Sequence, residues 1–184
     1  MCLGFESGKK FVGVTCKREQ NHEEYDAMRR KDREVTKQSE IAQILDMCKT
    51  ACIAMDDEGE PYAVPLSYGY EWKGDDLILY FHCAKEGKKL EILKRNNRVC
   101  FTIFSEGELL YTENPCNSGY YFSSVTGNGV ADFIEETVEK GHALQKMFAH
   151  QTKRTVEFTK AQIDSVCVFQ IISQNYTGKR KEKR

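Results

Sequence analysis

The run of five apolar residues at 77–81, Leu-Ile-Leu-Tyr-Phe, constrains the fold more than any other part of the sequence. A strand that is apolar on both faces must be covered on both sides, as in a barrel or a sandwich. Residues 99–104, Val-Cys-Phe-Thr-Ile-Phe, likewise place apolar side chains on both faces of a strand. Short strands at hairpin spacing with few helical segments predict an α+β fold that is mainly β, an antiparallel barrel with a few flanking helices.

The chain has 184 residues, about the length of one domain. Its 27 basic and 28 acidic residues leave a net charge of −1, so no nucleic-acid partner is expected. No apolar run approaches the ~18 residues of a membrane span. The N-terminus lacks the basic and apolar regions of a signal peptide. We therefore expect a cytoplasmic protein without a membrane partner.

Composition divides the chain into three parts. Residues 1–27 mix glycines and charges without a sustained period and are interpreted as an N-terminal extension; Met28 is either the start of the compact domain or an internal methionine. The domain is expected over residues 28–176. Residues 177–184 include five Lys or Arg among the last six, so they are expected to form a solvated, mobile tail.

Apolar residues spaced three and four apart predict amphipathic helices over residues 39–49, 87–94 and 137–149, the last capped by Thr137. Besides the two apolar runs, strands are predicted over residues 50–55, 62–70, 120–134 and 166–172, with a turn at 72–75. Gly127 and Gly129 interrupt the strand over 120–134 and predict a bulge or a close approach of two backbones.

The eight cysteines contain no C-x-x-C pair, and several lie inside apolar runs. We interpret them as reduced thiols that act as small buried hydrophobic residues, in preference to a zinc or redox site, and expect no metal site. His22, His142 and His150 have no acidic or cysteine partner at ligand spacing and are expected at the surface.

The segment over residues 79–101 is the most informative for chemistry. A histidine and a cysteine end a buried strand, and Gly87, Lys88 and Lys89 stand at the start of a predicted helix. Residues 85–98 hold six basic and two acidic side chains. Unpaired N–H groups, a partial positive charge and lysines at a helix start suit a phosphate ester. A solvated basic helix face is the alternative from the pattern alone.

Several sequence blocks then resemble one family in their order. They are PYAVPLSYGY at residues 61–70, YFHCAKEGKKL at 80–90, NRVCF at 97–101 and SVTGNGVA at 124–131. Over residues 28–172 the chain resembles the pyridoxamine-phosphate-oxidase-like, flavin-binding split barrels, in the branch of the 5-nitroimidazole antibiotic resistance proteins.

This resemblance implies a split β-barrel homodimer that holds FMN in the groove between its subunits. The strand over residues 64–67 is implied to run beside the isoalloxazine ring, His82 and Cys83 to pass the ring and ribityl chain, and the two lysines to hold the phosphate. Ser124 stands where the superfamily often has a glutamine near the flavin. The implied cofactor-binding residues are Val64, Pro65, Leu66, Ser67, His82, Cys83, Lys88, Lys89 and Ser124.

The function implied by the resemblance is that of an FMN-dependent oxidoreductase that reduces a small electrophile such as a nitroimidazole-like compound, with His82 as the proton donor. The C-terminal Trp and Arg of the true pyridoxamine-phosphate oxidases are missing, so oxidation of vitamin B6 is not expected. Three alternatives stay open: a flavin-binding or redox-sensing protein without turnover, FAD in place of FMN, and a haem-binding split barrel with His82 as axial ligand.

The two apolar runs also bear on oligomeric state. A small barrel has one interior, so the outer faces of these strands must be covered by helices or by a second subunit. The predicted helices at 39–49 and 137–149 have too little apolar surface to cover every such strand. A two-fold homodimer is therefore expected, in line with the resemblance.

Overall fold

The computed structural model describes residues 28–182. The fold below belongs to the compact unit that begins at Asp32. The extension expected over residues 1–27 lies outside the described residues. None of the described helices is long and apolar enough to cross a membrane.

Eight strands and four α-helices make up the described fold. The strands are β1 Glu34–Val35, β2 Thr50–Asp57, β3 Glu60–Ser67, β4 Gly69–Lys73, β5 Asp76–Cys83, β6 Arg98–Leu110, β7 Gly119–Phe133 and β8 Cys167–Lys181. The helices are α1 Gln38–Met47, α2 Lys88–Arg95, α3 Thr137–Thr152 and α4 Lys160–Asp164, with 3-10 turns at Lys31–Arg33 and Pro115–Asn117.

The strands form one antiparallel sheet in the order β3-β2-β6-β7-β8-β5-β4, and β1 pairs with β8. The two ends of this order, β3 and β4, are consecutive in the chain and are joined by Tyr68 alone. The described sheet therefore opens between them. The predicted α+β, mainly β, split barrel with flanking helices is confirmed.

Strand β5 is buried on both faces, as predicted. Leu79 and Phe81 point into the barrel, where the Phe81 ring stacks on that of Phe169 with 5.1 Å between centroids. Ile78 and Tyr80 belong to a second apolar cluster, which β5 shares with helices α3 and α4. Helices α3 and α4 thus cover the outer face of this strand and bury their own apolar faces against it.

Strand β6 differs from this prediction because only one of its faces is fully buried within the chain. Val99, Phe101 and Ile103 point into the barrel. On the outer face Cys100 is half-buried and Phe104 is 58% exposed. None of the helices within residues 28–182 covers that face as α3 covers β5. The strand over residues 99–104 is therefore apolar on both faces but fully buried on only one of them.

The two glycines of β7 are explained by close packing, as predicted. The register of β7 against β8 shifts between Asn128 and Val130, which marks a bulge at Gly129. A Cβ on Gly127 would lie 2.6 Å from the Phe101 ring, and one on Gly129 would lie 2.6 Å from the Cγ2 of Ile171. Larger side chains do not fit at either position without movement of the neighbours.

The predicted strand over residues 62–70 is wrong as a single element. It is interrupted at Tyr68, whose fully buried hydroxyl donates to the backbone oxygen of Leu45 at 2.7 Å. The expected turn at 72–75 is shorter, because Trp72 and Lys73 still belong to β4. Helix α3 begins at Thr137, but Glu136 is its N-cap residue.

Two further expectations about the surface are corrected. The boundary expected at residue 177 falls inside β8, which continues to Lys181 and pairs that residue with Phe122 of β7. His150 is buried instead of exposed, since its Nε2 lies 2.9 Å from the backbone oxygen of Cys48 and its ring packs on that of Tyr68.

Candidate functional site

Strand β3 is an edge strand, paired with β2 alone in the described sheet. One row of its backbone N–H and C=O groups is therefore without a strand partner. Val64 and Leu66 pack against the barrel core, whereas Pro65 and Ser67 are exposed on the outer face. Proline is tolerated at an edge because it removes no ladder hydrogen bond there. The strand can thus offer backbone hydrogen bonds to a flat, polar-edged ligand.

Ser67 and His82 meet at one cavity of about 350 Å³, although they lie on different strands. The cavity lies between the ends of β3 and β5 and the helices α3 and α4. Its other lining residues are apolar or neutral polar: Leu144, Met147, Phe148, Gln151, Phe158, Gln162, Ser165 and Val166. Among the described residues, no Asp, Glu, Lys or Arg lines it. The volume lies within the range of small-molecule sites.

Two glutamines fix the helical walls of this cavity, and the sequence analysis did not identify them. The Nε2 of Gln151 donates to the backbone oxygens of Lys49 and Tyr68, at 2.9 and 2.8 Å, and so ties α3 to the split between β3 and β4. Gln162 forms a capping box with Thr159 at the start of α4. The spacing Thr-x-x-Gln is a sequence signal for such a cap, whereas the contacts of Gln151 are not local.

His82 lies on the outer face of β5, opposite Val168 of β8. Partial burial lowers the pKa of its imidazole below the usual range. This burial disfavours the protonated form of the ring. An imidazole at a cavity wall can take up and release a proton, and the role expected from the sequence is that of proton donor.

Helix α2 begins as the sequence predicted, with Gly87 as its N-cap residue at a φ of 133° that favours glycine. Lys88 and Lys89 are the first two helical residues, and their backbone N–H groups have no intrahelical partner. The contacts of their two ammonium groups differ. The Lys88 ammonium lies 3.0 Å from a carboxylate oxygen of Asp57 and 4.9 Å from the centre of the Tyr62 ring. Lys89 forms no ion pair or hydrogen bond with another residue in 28–182.

The other predicted site residues lie apart from the cavity. Pro65 lines a separate depression of about 400 Å³ that includes Cys52 and Phe104. Ser124 is half-buried and stands opposite Phe104 on the outer face of the sheet. The Cys83 thiol faces the barrel core. Within one chain, the structure therefore brings Ser67 and His82 together and leaves Pro65 and Ser124 on a neighbouring sheet surface.

Comparison with known proteins relates this chain to one protein family. A family model described as pyridoxamine 5'-phosphate oxidase matches residues 37–180, which includes every residue of the cavity and of helix α2. Among curated proteins, none matches the chain.

Three solved structures illustrate the likeness of the fold. A candidate 5-nitroimidazole antibiotic resistance protein from Bacteroides thetaiotaomicron is 30% identical, and the alignment covers 81% of this chain and 90% of that one, with a TM-score of 0.69. The FAD and heme binding protein from Mycobacterium smegmatis is 18% identical, over 82% and 74% of the chains, with a TM-score of 0.69. The flavocytochrome Anf3 from Azotobacter vinelandii is 19% identical, over 85% and 73%, with a TM-score of 0.70. The last two share the fold.

Proposed function

Because the chain belongs to the pyridoxamine 5'-phosphate oxidase family, we propose that it is a flavin-dependent oxidoreductase that binds FMN and reduces a small uncharged electrophile such as a nitroimidazole-like compound. The observation that carries this proposal is the cavity shared by Ser67 and His82. These two residues come from separate sequence blocks and were both expected beside the flavin ring. Their convergence is what a ring-binding site requires.

The residues present fit a flavin mononucleotide. The free edge of β3 offers backbone hydrogen bonds to the polar edge of the ring, and the start of helix α2 offers N–H groups and Lys89 to the phosphate. Lys88 can contribute where the phosphate competes with Asp57 for its ammonium. When bound, FMN supplies the redox chemistry. The protein binds and orients it and excludes water around it.

The lining of the cavity limits the substrate class. A phosphate ester such as pyridoxamine phosphate needs a cationic side chain, and the ten lining residues include no Lys or Arg. Apolar walls with two amides and two hydroxyls suit a neutral, flat compound. His82 stands at this wall and can donate a proton to a group that gains electrons there. The 30% identity to a candidate nitroimidazole resistance protein supports the same substrate class.

FMN binding is tested by titration of the purified protein, followed by flavin fluorescence and by the visible spectrum. The Lys88→Ala/Lys89→Ala double variant should weaken binding at least tenfold, because charge-assisted hydrogen bonds contribute about 1.5–3 kcal/mol each. Lys94→Ala is the control, since Lys94 lies in the last turn of the same helix and pairs with Glu91. Equal affinity in the double variant and the parent contradicts the phosphate site, and a Soret band indicates haem instead.

The proposed role of His82 is tested with reduced, FMN-loaded protein and a nitroimidazole in rapid-mixing experiments. His82→Gln should slow reoxidation of the flavin by at least tenfold, because positioned proton donors contribute about 10²–10⁴-fold to rates. FMN affinity should change by less than threefold. A variant that reoxidises at the parental rate shows that His82 has no part in the reaction.

We also propose that two copies assemble through the outer face of β2, β3, β6 and β7 and enclose the flavin between them. Support comes from the side chains on that face, which are small and uncharged around the exposed ring of Phe104: Thr50, Cys52, Pro65, Cys100, Thr102, Ser124 and Thr126. Such a partner would bring Pro65 and Ser124 into an interface groove.

The assembly is tested by light scattering, which should give a mass near twice 21.2 kDa. Phe104→Lys should shift the protein toward monomer at micromolar concentration, because it places a charge on the packed face. Tyr111→Lys is the matched control, since Tyr111 is 81% exposed and lies beyond the end of β6. A parent that is monomeric when loaded with FMN excludes the shared groove.

A further inference from the structure

Cys83 and Cys167 stand directly opposite each other at the end of the β5–β8 pair. Their side chains point to the same side of the sheet, next to the stacked rings of Phe81 and Phe169. Directly opposed residues in antiparallel strands have Cα atoms about 4.5 or 5.5 Å apart. Both separations fall within the range of about 4.4–6.8 Å found in disulfides. Both cysteines are free thiols and half-buried, so a small oxidant can reach them.

The two thiols are close enough to influence each other's ionisation. Burial and then the neighbouring Cys167 raise the pKa of Cys83 to about 11, while Lys89 opposes the rise. Burial also raises the pKa of Cys167, but there the neighbouring Cys83 lowers it. Each thiol therefore reacts through its ionised fraction, with Cys167 assigned as the attacking sulfur and Cys83 as the thiol that completes the bond.

We propose that Cys83 and Cys167 form a reversible disulfide when a peroxide oxidises the protein. The Cys167 thiolate attacks hydrogen peroxide, the O–O bond breaks, and a sulfenic acid and hydroxide result. The Cys83 sulfur then attacks the Cys167 sulfur, and the hydroxyl group leaves as water with the proton of the Cys83 thiol. Two thiols and one peroxide give one disulfide and two waters, and a dithiol reductant reverses the change.

The position of this pair connects it to the cavity. His82 precedes Cys83 and Val166 precedes Cys167, and both of these neighbours line the cavity described above. A disulfide fixes the spacing of the two chain segments that carry these wall residues. It also closes the barrel end that the two thiols occupy. The oxidised protein should consequently unfold at a higher temperature than the reduced protein.

The chain contains a matched pair that lacks this geometry. Cys52 and Cys100 are also half-buried and lie on neighbouring strands, but Cys52 stands opposite Thr102 and Cys100 opposite Ala54. Their offset of two residues gives a diagonal separation of about 7–8 Å. That is beyond the reach of a disulfide without movement of the backbone. The proposal therefore predicts a bond in one pair and not in the other.

The test uses the full chain, reduced and then exposed to hydrogen peroxide at pH 8.5, alkylated and digested with trypsin without reductant. Mass spectrometry should find residues 74–85 joined to residues 161–179, with the loss of two hydrogen atoms. Exposed Cys116 reports that peroxide reached the thiols. Dithiothreitol should restore both peptides. The yield should rise with pH, because the thiolate reacts.

Two variants complete the test. Cys83→Ser should abolish the joined peptide and leave a sulfenic acid on Cys167 that dimedone captures. Cys52→Ser should leave the joined peptide at its parental yield. Recovery of Cys83 and Cys167 as separately alkylated peptides, under conditions that oxidise Cys116, overturns the proposal. A joined Cys52–Cys100 peptide in equal yield overturns the geometric argument. None of these measurements requires bound flavin, so their failure is distinct from failure of the proposed function.

Discussion

Replacement of Gly69 by alanine should separate helix α3 from the sheet. Gly69 is the first residue of β4 and is buried beneath α3. A Cβ at this position would lie 2.5 Å from the Cα and the N of Met147 and 2.7 Å from the carbonyl carbon of Lys146. These are backbone atoms, so no rotation of a side chain relieves the clash. The helix must therefore move and carry Met147 with it. Because Met147 lines the cavity, the cavity wall moves as well.

Overpacking of this kind costs about 1–3 kcal/mol. Because the obstructing atoms belong to a helix backbone, we expect about 2 kcal/mol, or a fall of about 4–8 °C in the midpoint of thermal unfolding for a chain of this size. Circular dichroism and scanning calorimetry measure this. Gly119→Ala is the control, since its nearest neighbour is the flexible Lys181 ammonium at 3.6 Å, and it should stay within about 0.5 kcal/mol. A Gly69→Ala midpoint within 1 °C of the parent refutes the reasoning.

Three further predictions concern charge and packing. Burial alone raises the pKa of Glu71, but the Lys146 ammonium at 2.9 Å helps to lower it to about 2. The carboxylate therefore stabilises the fold above about pH 4.5 and loses this contribution as the pH falls towards 2. Glu71→Gln should cost about 1–2 kcal/mol at pH 7 in urea unfolding, and the difference from the parent should vanish near pH 2. Phe169→Ala, which removes a fully buried ring, should cost about 3–5 kcal/mol in the same assay, and a cost below 1 kcal/mol contradicts the stacked core. Asp57→Asn releases Lys88 and should raise FMN affinity about two- to fivefold in the fluorescence titration, whereas unchanged affinity shows that Lys88 does not reach the phosphate.

The sequence predicted those strands and helices whose burial follows from the pattern of apolar residues within the element itself. Five consecutive apolar residues predicted a strand covered on both faces, and β5 has that environment. The spacing of Ile41, Ile44 and Leu45 likewise predicted helix α1, whose buried residues are these three. The two glycines of β7 predicted close backbone approach, because a missing side chain is informative where neighbours are tightly packed.

Contacts between distant parts of the chain decided the rest. Tyr68 breaks the strand predicted over residues 62–70 because its hydroxyl reaches a carbonyl of helix α1, 23 residues earlier. The basic residues after 177 remain in the sheet because they pair with β7 and rest on its aromatic rings. The Lys179 ammonium lies 5.9 Å from the centre of the Phe122 ring, and that of Lys181 lies 5.8 Å from Tyr121. Neither contact has a counterpart in local charge or periodicity.

The two lysines at the start of helix α2 are equivalent in the sequence motif but not in the structure. Lys88 and Lys89 both follow Gly87, and both add positive charge to the start of the helix. In the structure the turn after β2 places Asp57 against Lys88, so that a phosphate must compete with a carboxylate for one ammonium but not for the other. The backbone N–H groups and Lys89 are therefore the stronger part of the proposed phosphate site. In that proposed site Lys88 would contribute according to how readily it leaves Asp57, so Asp57 would influence flavin affinity although no motif contains it.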